Sequence, residues 1–109
     1  MVKPVAGEIV VIPFPRSDAA GGKRRPALII ADLPGADLIL RQITSHAHWD
    51  SFAVPLDASD CERGGMGQPS FIRPQRLFTL EHHLILYSIG KVQAAKLDEV
   101  LRRVREFFN

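Results

Sequence analysis

The sequence predicts a mainly β protein in which about six short strands curl into a small barrel and one helix follows at the C-terminus. Short β-branched runs alternate with turns rich in glycine and proline through most of the chain, which is typical of small β domains. The spacing of apolar residues becomes helical only from about Ala94. A chain of 109 residues has room for one hydrophobic core, so we expect a single domain over residues 1–109.

The composition is that of an ordinary folded domain. Apolar residues make up 46% of the chain and charged residues 24%, far from the low hydrophobicity and high charge of disordered proteins. No stretch is long and apolar enough to cross a bilayer, and the first residues lack a signal-peptide core. The single cysteine, Cys61, has no internal disulfide partner, which favours a reducing compartment. We therefore expect a cytoplasmic protein without membrane contact.

The first half of the chain predicts three strands. Glu8–Phe14 is a β-branched run, and the polar, glycine-containing segment Arg16–Arg25 that follows it predicts an exposed loop. Ala27–Ala31 predicts a second, buried strand, and Asp37–Ser45 predicts a third. Because only a short turn containing proline and glycine separates them, we expect the second and third strands to form a hairpin.

The second half predicts three further strands and the helix. Short extended pieces are expected at Phe52–Pro55 and Pro69–Ile72, and three glycines make regular structure improbable in the loop Asp57–Gln68. Residues 73–80 suggest a turn or short helix, and Leu84–Val92 predicts the last strand. From Ala94 onward, apolar residues at three- and four-residue spacing predict an amphipathic helix. Short strands closed by one terminal helix indicate a curled barrel of the SH3-like sort.

Two motifs suggest chemistry that their surroundings do not support. Gly21-Gly22-Lys23 lacks the first glycine of a phosphate-binding P-loop and the hydroxyl that holds magnesium. His46 and His48 would project from one face of a strand, as zinc ligands do, but no third ligand recurs in a recognisable pattern. We therefore expect neither a metal nor another cofactor.

A cluster of cations, Lys23, Arg24 and Arg25, stands directly before a proline and the second strand. A guanidinium on a stiff backbone presents two N–H donors to a phosphate, which a flexible lysine does less well. The third strand ends near Thr44, and its expected partner is the strand that Arg25 opens. Arg25 and Thr44 could therefore converge, although an ordinary charged loop would carry the same cations.

Short motifs follow one another in a specific order along nearly the whole chain. Each is weak by itself, but their order and spacing are specific. They are Gly7–Val10, Pro13–Pro15, Gly22–Ile30, Gln42–Ser45, Pro69–Pro74, Leu77–Leu80 and Ile89–Val92. In this order they resemble the motifs of the MazF/PemK toxins of type II toxin–antitoxin systems.

The resemblance implies an SH3-like barrel of the MazF/CcdB type and a homodimer with an RNA groove across both protomers. It also implies an antitoxin whose disordered tail occupies that groove, and sequence-specific, metal-independent cleavage of single-stranded RNA. The family's catalytic arginine and threonine fall on Arg25 and Thr44, and Ser45 falls on a supporting phosphate ligand. Further contacts to the RNA backbone are expected, from charge and motif position, at Lys23, Arg24, Arg73 and Arg76.

The general base is left open by the sequence. Some branches of the family have a histidine in the first loop and an acid two positions after the arginine of the fifth strand. Here that loop has no histidine, and Gln75 stands two positions after Arg73. His46, two residues past Thr44, is one hypothesis for the base.

The expected reaction needs no nucleophile from the protein. The RNA 2′-hydroxyl attacks the adjacent phosphorus and leaves a 2′,3′-cyclic phosphate and a free 5′-hydroxyl. Two other readings of the same fold stand beside this one. The first is a non-catalytic module that acts by protein contact, as gyrase-poisoning toxins do, and the second is an inactive relative kept as a regulator.

Overall fold

The computed structural model of the chain describes residues 3–14, 23–45 and 52–108, except for the side chains of Phe14, Lys23, Phe107 and residues 74–76. Within these residues it contains seven strands, one α-helix and two short 3-10 turns at Ala58–Asp60 and His82–Leu84. The strands are β1 Glu8–Phe14, β2 Lys23–Asp32, β3 Asp37–Thr44, β4 Val54–Leu56, β5 Cys61–Gly64, β6 Ser70–Glu81 and β7 Tyr87–Val92. The helix α1 spans Ala94–Phe107.

All seven strands belong to one antiparallel sheet in the order β4-β6-β3-β2-β1-β7-β5. The central hairpin of β2 and β3 is flanked by β1 on one side and by β6 on the other. The sheet curls so that each face has its own apolar cluster. The helix α1 packs on one face through Val100, which is fully buried.

The two clusters show how the pleat of the strands directs the side chains. On the helix side lie Ile9, Leu28, Ile30, Ile43, Val54, Leu56, Ile72 and Val92, and on the far side lie Val10, Ile12, Ala27, Ile29, Leu38, Leu40 and Ile85. Neighbours in sequence thus fall on opposite faces, as period-two alternation requires. Both faces of the central strands are therefore buried for most of their length.

The fold confirms the predicted class and several of the predicted elements. The first strand, the hairpin and the terminal helix lie where they were expected. Three expectations were wrong. β2 begins at Lys23, so Lys23–Arg25 belong to a strand and not to a loop; β5 lies within the predicted loop Asp57–Gln68; and Ser70–Glu81 is one continuous strand.

No helix among the described residues is long and apolar enough to cross a membrane.

Candidate functional site

The register of the central hairpin brings Arg25 and Thr44 to the same end of the sheet. Ala27 on β2 pairs with Gln42 on β3. Because side chains alternate along a strand, Arg25 shares the face of Ala27, and Thr44 shares the face of Gln42. Cross-strand partners project to the same side of the sheet, so Arg25 and Thr44 lie on one face of adjoining strands, as the sequence predicted.

The neighbouring strand β6 contributes two further side chains. Phe71 is the cross-strand partner of Thr44 and therefore shares its face, and Arg73 follows it two positions later on the same strand. Both side chains are half-buried, like those of Arg25 and Thr44. We call these four residues, Arg25, Thr44, Phe71 and Arg73, the Thr44-end site.

The other predicted RNA contacts are placed less closely. Arg24 is exposed and lies next to Arg25 on the opposite face of β2, and Ser45 is exposed just past the end of β3. The side chains of Lys23 and Arg76, and the whole of His46, lie outside the described residues.

Sequence reasoning missed Phe71 as a member of the site. In the sequence it is only one residue of the motif Pro69–Pro74, and no local pattern indicates that it pairs with Thr44 on the neighbouring strand.

No group of three or more His, Cys, Asp or Glu side chains that could hold a metal ion occurs within residues 3–14, 23–45 and 52–108. His46 and His48 lie outside these residues.

The opposite end of β3 has a different character. A pocket of about 440 Å³ lies there, lined by Asp37, Thr79, Leu80, Glu81, His83 and Leu84. Asp37 and Glu81 are exposed and are direct cross-strand partners. The carboxylate of Glu81 also lies 3.1 Å from Nδ1 of His83. This pocket is therefore acidic, whereas the Thr44-end site contains two arginines.

A buried cation lies between the two ends. Arg41 is only 1% exposed, and its Nε and Nη2 atoms have no hydrogen-bond partner among the residues that the structure describes. Burial lowers the pKa of the Arg41 guanidinium to about 10, so at neutral pH the group keeps its charge. Buried polar atoms without partners are costly, which makes Arg41 an unusual feature of this sheet.

The single cysteine is a half-buried thiol. Burial, and next the charges of Asp60 and Asp57, raise the pKa of the Cys61 thiol. A raised pKa suppresses the reactive thiolate at neutral pH.

Comparison with known proteins places this arrangement in a family. The family model described as PemK-like, MazF-like toxin of type II toxin-antitoxin system matches residues 6–108. Similar solved structures include MazF from Deinococcus radiodurans, with 22% identity, 99% of this chain and 98% of that chain covered and a TM-score of 0.77. The Mycobacterium tuberculosis toxin MazF-mt6 has 21% identity, covers 93% and 95% of the two chains and gives a TM-score of 0.72.

A third similar structure is an endoribonuclease in complex with its cognate antitoxin from a mycobacterial species. It has 16% identity, covers 96% of this chain and 94% of that chain, and gives a TM-score of 0.70. At these identities the solved structures establish the fold alone. No protein of curated function matches the chain.

Proposed function

Since the chain belongs to the PemK-like, MazF-like toxin family of type II toxin–antitoxin systems, we propose that it is a sequence-specific, metal-independent endoribonuclease that cleaves single-stranded RNA. The observation that carries this proposal is the placement of Arg25 and Thr44 on one face at the same end of β2 and β3. A guanidinium fork beside a hydroxyl is a donor set suited to a phosphate.

The chemistry follows from where negative charge develops. When the 2′-hydroxyl attacks the adjacent phosphorus, the five-coordinate phosphorane carries more charge than the ground state. Arg25 and Thr44, held on paired strands, bind that charge preferentially in the transition state and so lower the barrier. The bond to the 5′-oxygen then breaks, leaving a 2′,3′-cyclic phosphate and a 5′-hydroxyl. A general base takes the proton of the 2′-hydroxyl, and the 5′-oxygen, polarised by Arg25, takes up a proton as it leaves.

Neighbouring side chains fit the binding of a single strand. The half-buried ring of Phe71 faces Thr44 across the strands and offers a surface on which a base next to the cleaved phosphate stacks. Arg73 on β6 and the exposed Arg24 on β2 supply positive charge, and the exposed Ser45 adds a hydroxyl. We assign Lys23 and Arg76 to the RNA backbone on charge and motif position.

The family supplies the partners in this proposal. We propose that residues 1–109 form one toxin domain, that two copies form a homodimer in the cytoplasm, and that a cognate antitoxin inhibits the RNA groove. Similar structures include MazE–MazF complexes from Deinococcus radiodurans, which supports an antitoxin partner. No cofactor is assigned.

The test is incubation of the purified protein with a long single-stranded RNA in excess EDTA, followed by mapping of the fragment ends. We expect discrete cuts that leave 5′-hydroxyl ends, and the Arg25→Ala variant should cleave about two orders of magnitude more slowly. Arg102→Ala removes an exposed arginine of α1 and serves as the matched control.

Two outcomes would contradict the proposal. A folded wild-type protein that leaves the RNA intact favours a toxin that acts by protein contact or an inactive relative. Cleavage that appears only after addition of zinc would instead indicate a metal-dependent reaction, for which His46 and His48 are the candidate ligands.

A further inference from the structure

A further pocket lies at the Thr44 end of the sheet, close to the Thr44-end site. It has a volume of about 290 Å³ and is lined by Asp57, Ala58, Ser59, Gly67, Gln68 and Pro69. One wall is the 3-10 turn that follows β4, and the other is the loop that leads into β6. We call these six residues the turn pocket.

The strand register places the turn pocket near the proposed cleavage site. Phe71 is the cross-strand partner of both Thr44 and Pro55, so one row of paired residues crosses β3, β6 and β4. Pro69 lies two positions before Phe71, and Asp57 lies two positions after Pro55. Two residues span about 7 Å along a strand, and neighbouring strands lie about 5 Å apart. A base close to a phosphate bound at Thr44 therefore reaches the pocket.

The turn pocket also opens on the same side of the sheet as the Thr44-end site. Val54 and Leu56 of β4 belong to the helix-side cluster, so Pro55 between them faces the far side, as Thr44 does. The backbone of Asp57 is still extended, with φ −133° and ψ −177°, so its side chain lies on the side of Pro55. An RNA strand that crosses the Thr44-end site passes the pocket without leaving this side of the sheet.

Asp57 gives the pocket a fixed hydrogen-bond acceptor. Its Oδ1 accepts a hydrogen bond from the Ser59 hydroxyl at 2.5 Å and another from the Ser59 backbone N–H at 3.0 Å. First the hydroxyl and then the backbone hydrogen bond lower the pKa of the Asp57 carboxyl, so the group is a carboxylate at neutral pH. Within the described part of the chain both bonds go to Oδ1, and Oδ2 keeps its capacity to accept from a ligand.

The chemistry of a carboxylate selects among the four bases. A carboxylate only accepts hydrogen bonds, and proteins read single-stranded RNA partly through the Watson–Crick edges of its bases. On that edge guanine offers two adjacent donors, N1–H and the 2-amino group, whereas adenine, cytosine and uracil each offer one donor group beside an acceptor. The negative charge also disfavours a phosphate in the pocket. Guanine is therefore the base that fits best.

The loop wall of the pocket suits a flat ring. Gly67 has a φ of +77°, and a Cβ there would meet nothing within 4 Å, so this side is open. The hydroxyl of Ser70, which is 1% exposed, donates to the Gln68 carbonyl oxygen at 3.1 Å and ties the loop to the start of β6. Pro69 offers apolar surface to the ring, and the side-chain amide of Gln68 can donate to O6 of guanine. The volume of about 290 Å³ lies at the lower limit of small-molecule sites and suits a single base.

We propose that the turn pocket binds a guanine base of the substrate RNA close to the cleaved phosphate, with N1–H donating to Oδ2 of Asp57 and the 2-amino group donating to Oδ1. The Ser59 hydroxyl rotates away to admit the second bond, while the Ser59 backbone N–H continues to hold Oδ1. This inference rests on the proposed endoribonuclease and deepens it by naming one base of its recognition sequence.

The first test changes single bases in the RNA and uses the wild-type protein. Fluorescence anisotropy measures its affinity for short 2′-deoxy oligouridines, which it cannot cut, with guanine replacing uracil at one position at a time. We expect guanine at one position to strengthen binding by about 10-fold. Inosine at that position lacks the 2-amino group and should lose most of this gain.

The second test repeats the measurement with the Asp57→Asn variant. Asn caps a helical turn about as well as Asp, so the fold should remain, which circular dichroism checks. The amide group turns a donor toward the donors of guanine, and we expect the gain of about 10-fold to disappear while affinity for the plain oligouridine is kept. Asp98→Asn removes the same charge from an exposed position of α1 and should preserve the preference for guanine.

The outcomes separate this inference from the proposed function. A wild-type protein that gains nothing from guanine at any position, or a preference that survives in a folded Asp57→Asn variant, would overturn the guanine pocket. Cleavage in EDTA, measured on the same samples, would then still decide the enzyme. A preference that depends on Asp57 in a chain that leaves RNA intact would support the pocket and overturn the endoribonuclease.

Discussion

The two ends of strand β3 present opposite chemistry on opposite faces of one sheet. The Thr44 end adjoins Arg25 and Arg73, and the side chains of Thr44 and Arg25 lie on the far side from the helix. The other end presents Asp37 and Glu81 on the helix side. A polyanion such as RNA is attracted to the first end and repelled by the second.

This difference shows how one strand contributes its side chains to two separate surfaces of the sheet. Alternation of side chains assigns odd and even positions of β3 to opposite faces. Changes at the acidic end therefore leave the Thr44-end site untouched locally, and the reverse also holds. We expect RNA cleavage to be more sensitive to substitutions at the Thr44 end than to substitutions of Asp37 and Glu81 at the acidic end.

The largest expected effect concerns the Thr44 end. Thr44→Val keeps the shape of the side chain and removes its hydroxyl, so the transition state loses one donor. We expect the rate of RNA cleavage to fall by about two orders of magnitude, or about 3 kcal/mol. Single-turnover assays measure it, and Thr79→Val, which makes the same change at an exposed position near the other end of β6, is the control. A variant with the wild-type rate and the wild-type melting temperature would remove Thr44 from the mechanism.

The elements that the sequence predicted correctly are those defined by local pattern. β1 is a short β-branched run and α1 repeats its apolar residues at helical spacing, so neighbouring residues alone identify them. β5 has no such pattern. Its Gly64 has a φ of +57°, and a Cβ there would lie 2.2 Å from the carbonyl oxygen of Ile89, so the strand depends on close approach to β7, which only tertiary structure reveals.

The long strand β6 was misread for a related reason. A proline and polar residues between Arg73 and Leu77 suggest a turn in the sequence. In the fold, the register with β3 shifts between the pairs Arg41–Leu77 and Ile43–Ile72, so β6 has extra residues at this point. Such bulges accommodate proline without ending the strand.

The candidate site was predictable to the extent that a hairpin fixes its geometry. Arg25 and Thr44 were expected to converge because a short turn joins their strands, and the register agrees. Phe71 and Arg41 were missed because their surroundings consist of residues distant in sequence. One faces Thr44 from a distant part of the sequence, and the other is a cation whose burial no local pattern reveals.

A smaller effect is expected on stability at Arg41, between the two ends. Arg41→Met replaces a buried charge, two nitrogens of which lack hydrogen-bond partners among the described residues, with an apolar side chain. We expect the free energy of unfolding to increase by about 1–4 kcal/mol, measured by urea denaturation. Arg102→Met, on the exposed side of α1, should change it by less than about 0.5 kcal/mol.

The difference in free energy of unfolding between Arg41→Met and its parent should depend on pH in a direction that follows from the pKa of Arg41. Burial lowers the pKa of Arg41 in the folded chain to about 10, below its value in the unfolded chain, so the unfolded chain holds this proton more tightly. The cost of the buried charge is therefore fully present below pH 10 and is relieved as the pH rises through that value. The stability difference between Arg41→Met and its parent should narrow above pH 10, and a constant difference would show that Arg41 is not buried as a cation.

The smallest expected effect concerns the affinity for RNA at the Thr44 end. Arg24 is exposed and contacts RNA, in our proposal, only through the backbone charge. Arg24→Gln should weaken binding of a non-cleavable 2′-deoxy substrate to a similar degree for every sequence, and it should reduce the slope of log affinity against log salt by about 0.7. Fluorescence anisotropy over a series of salt concentrations measures both quantities, with Arg102→Gln as the control. A loss confined to one RNA sequence would contradict this expectation, because it would mean that Arg24 contacts a base and not only the RNA backbone.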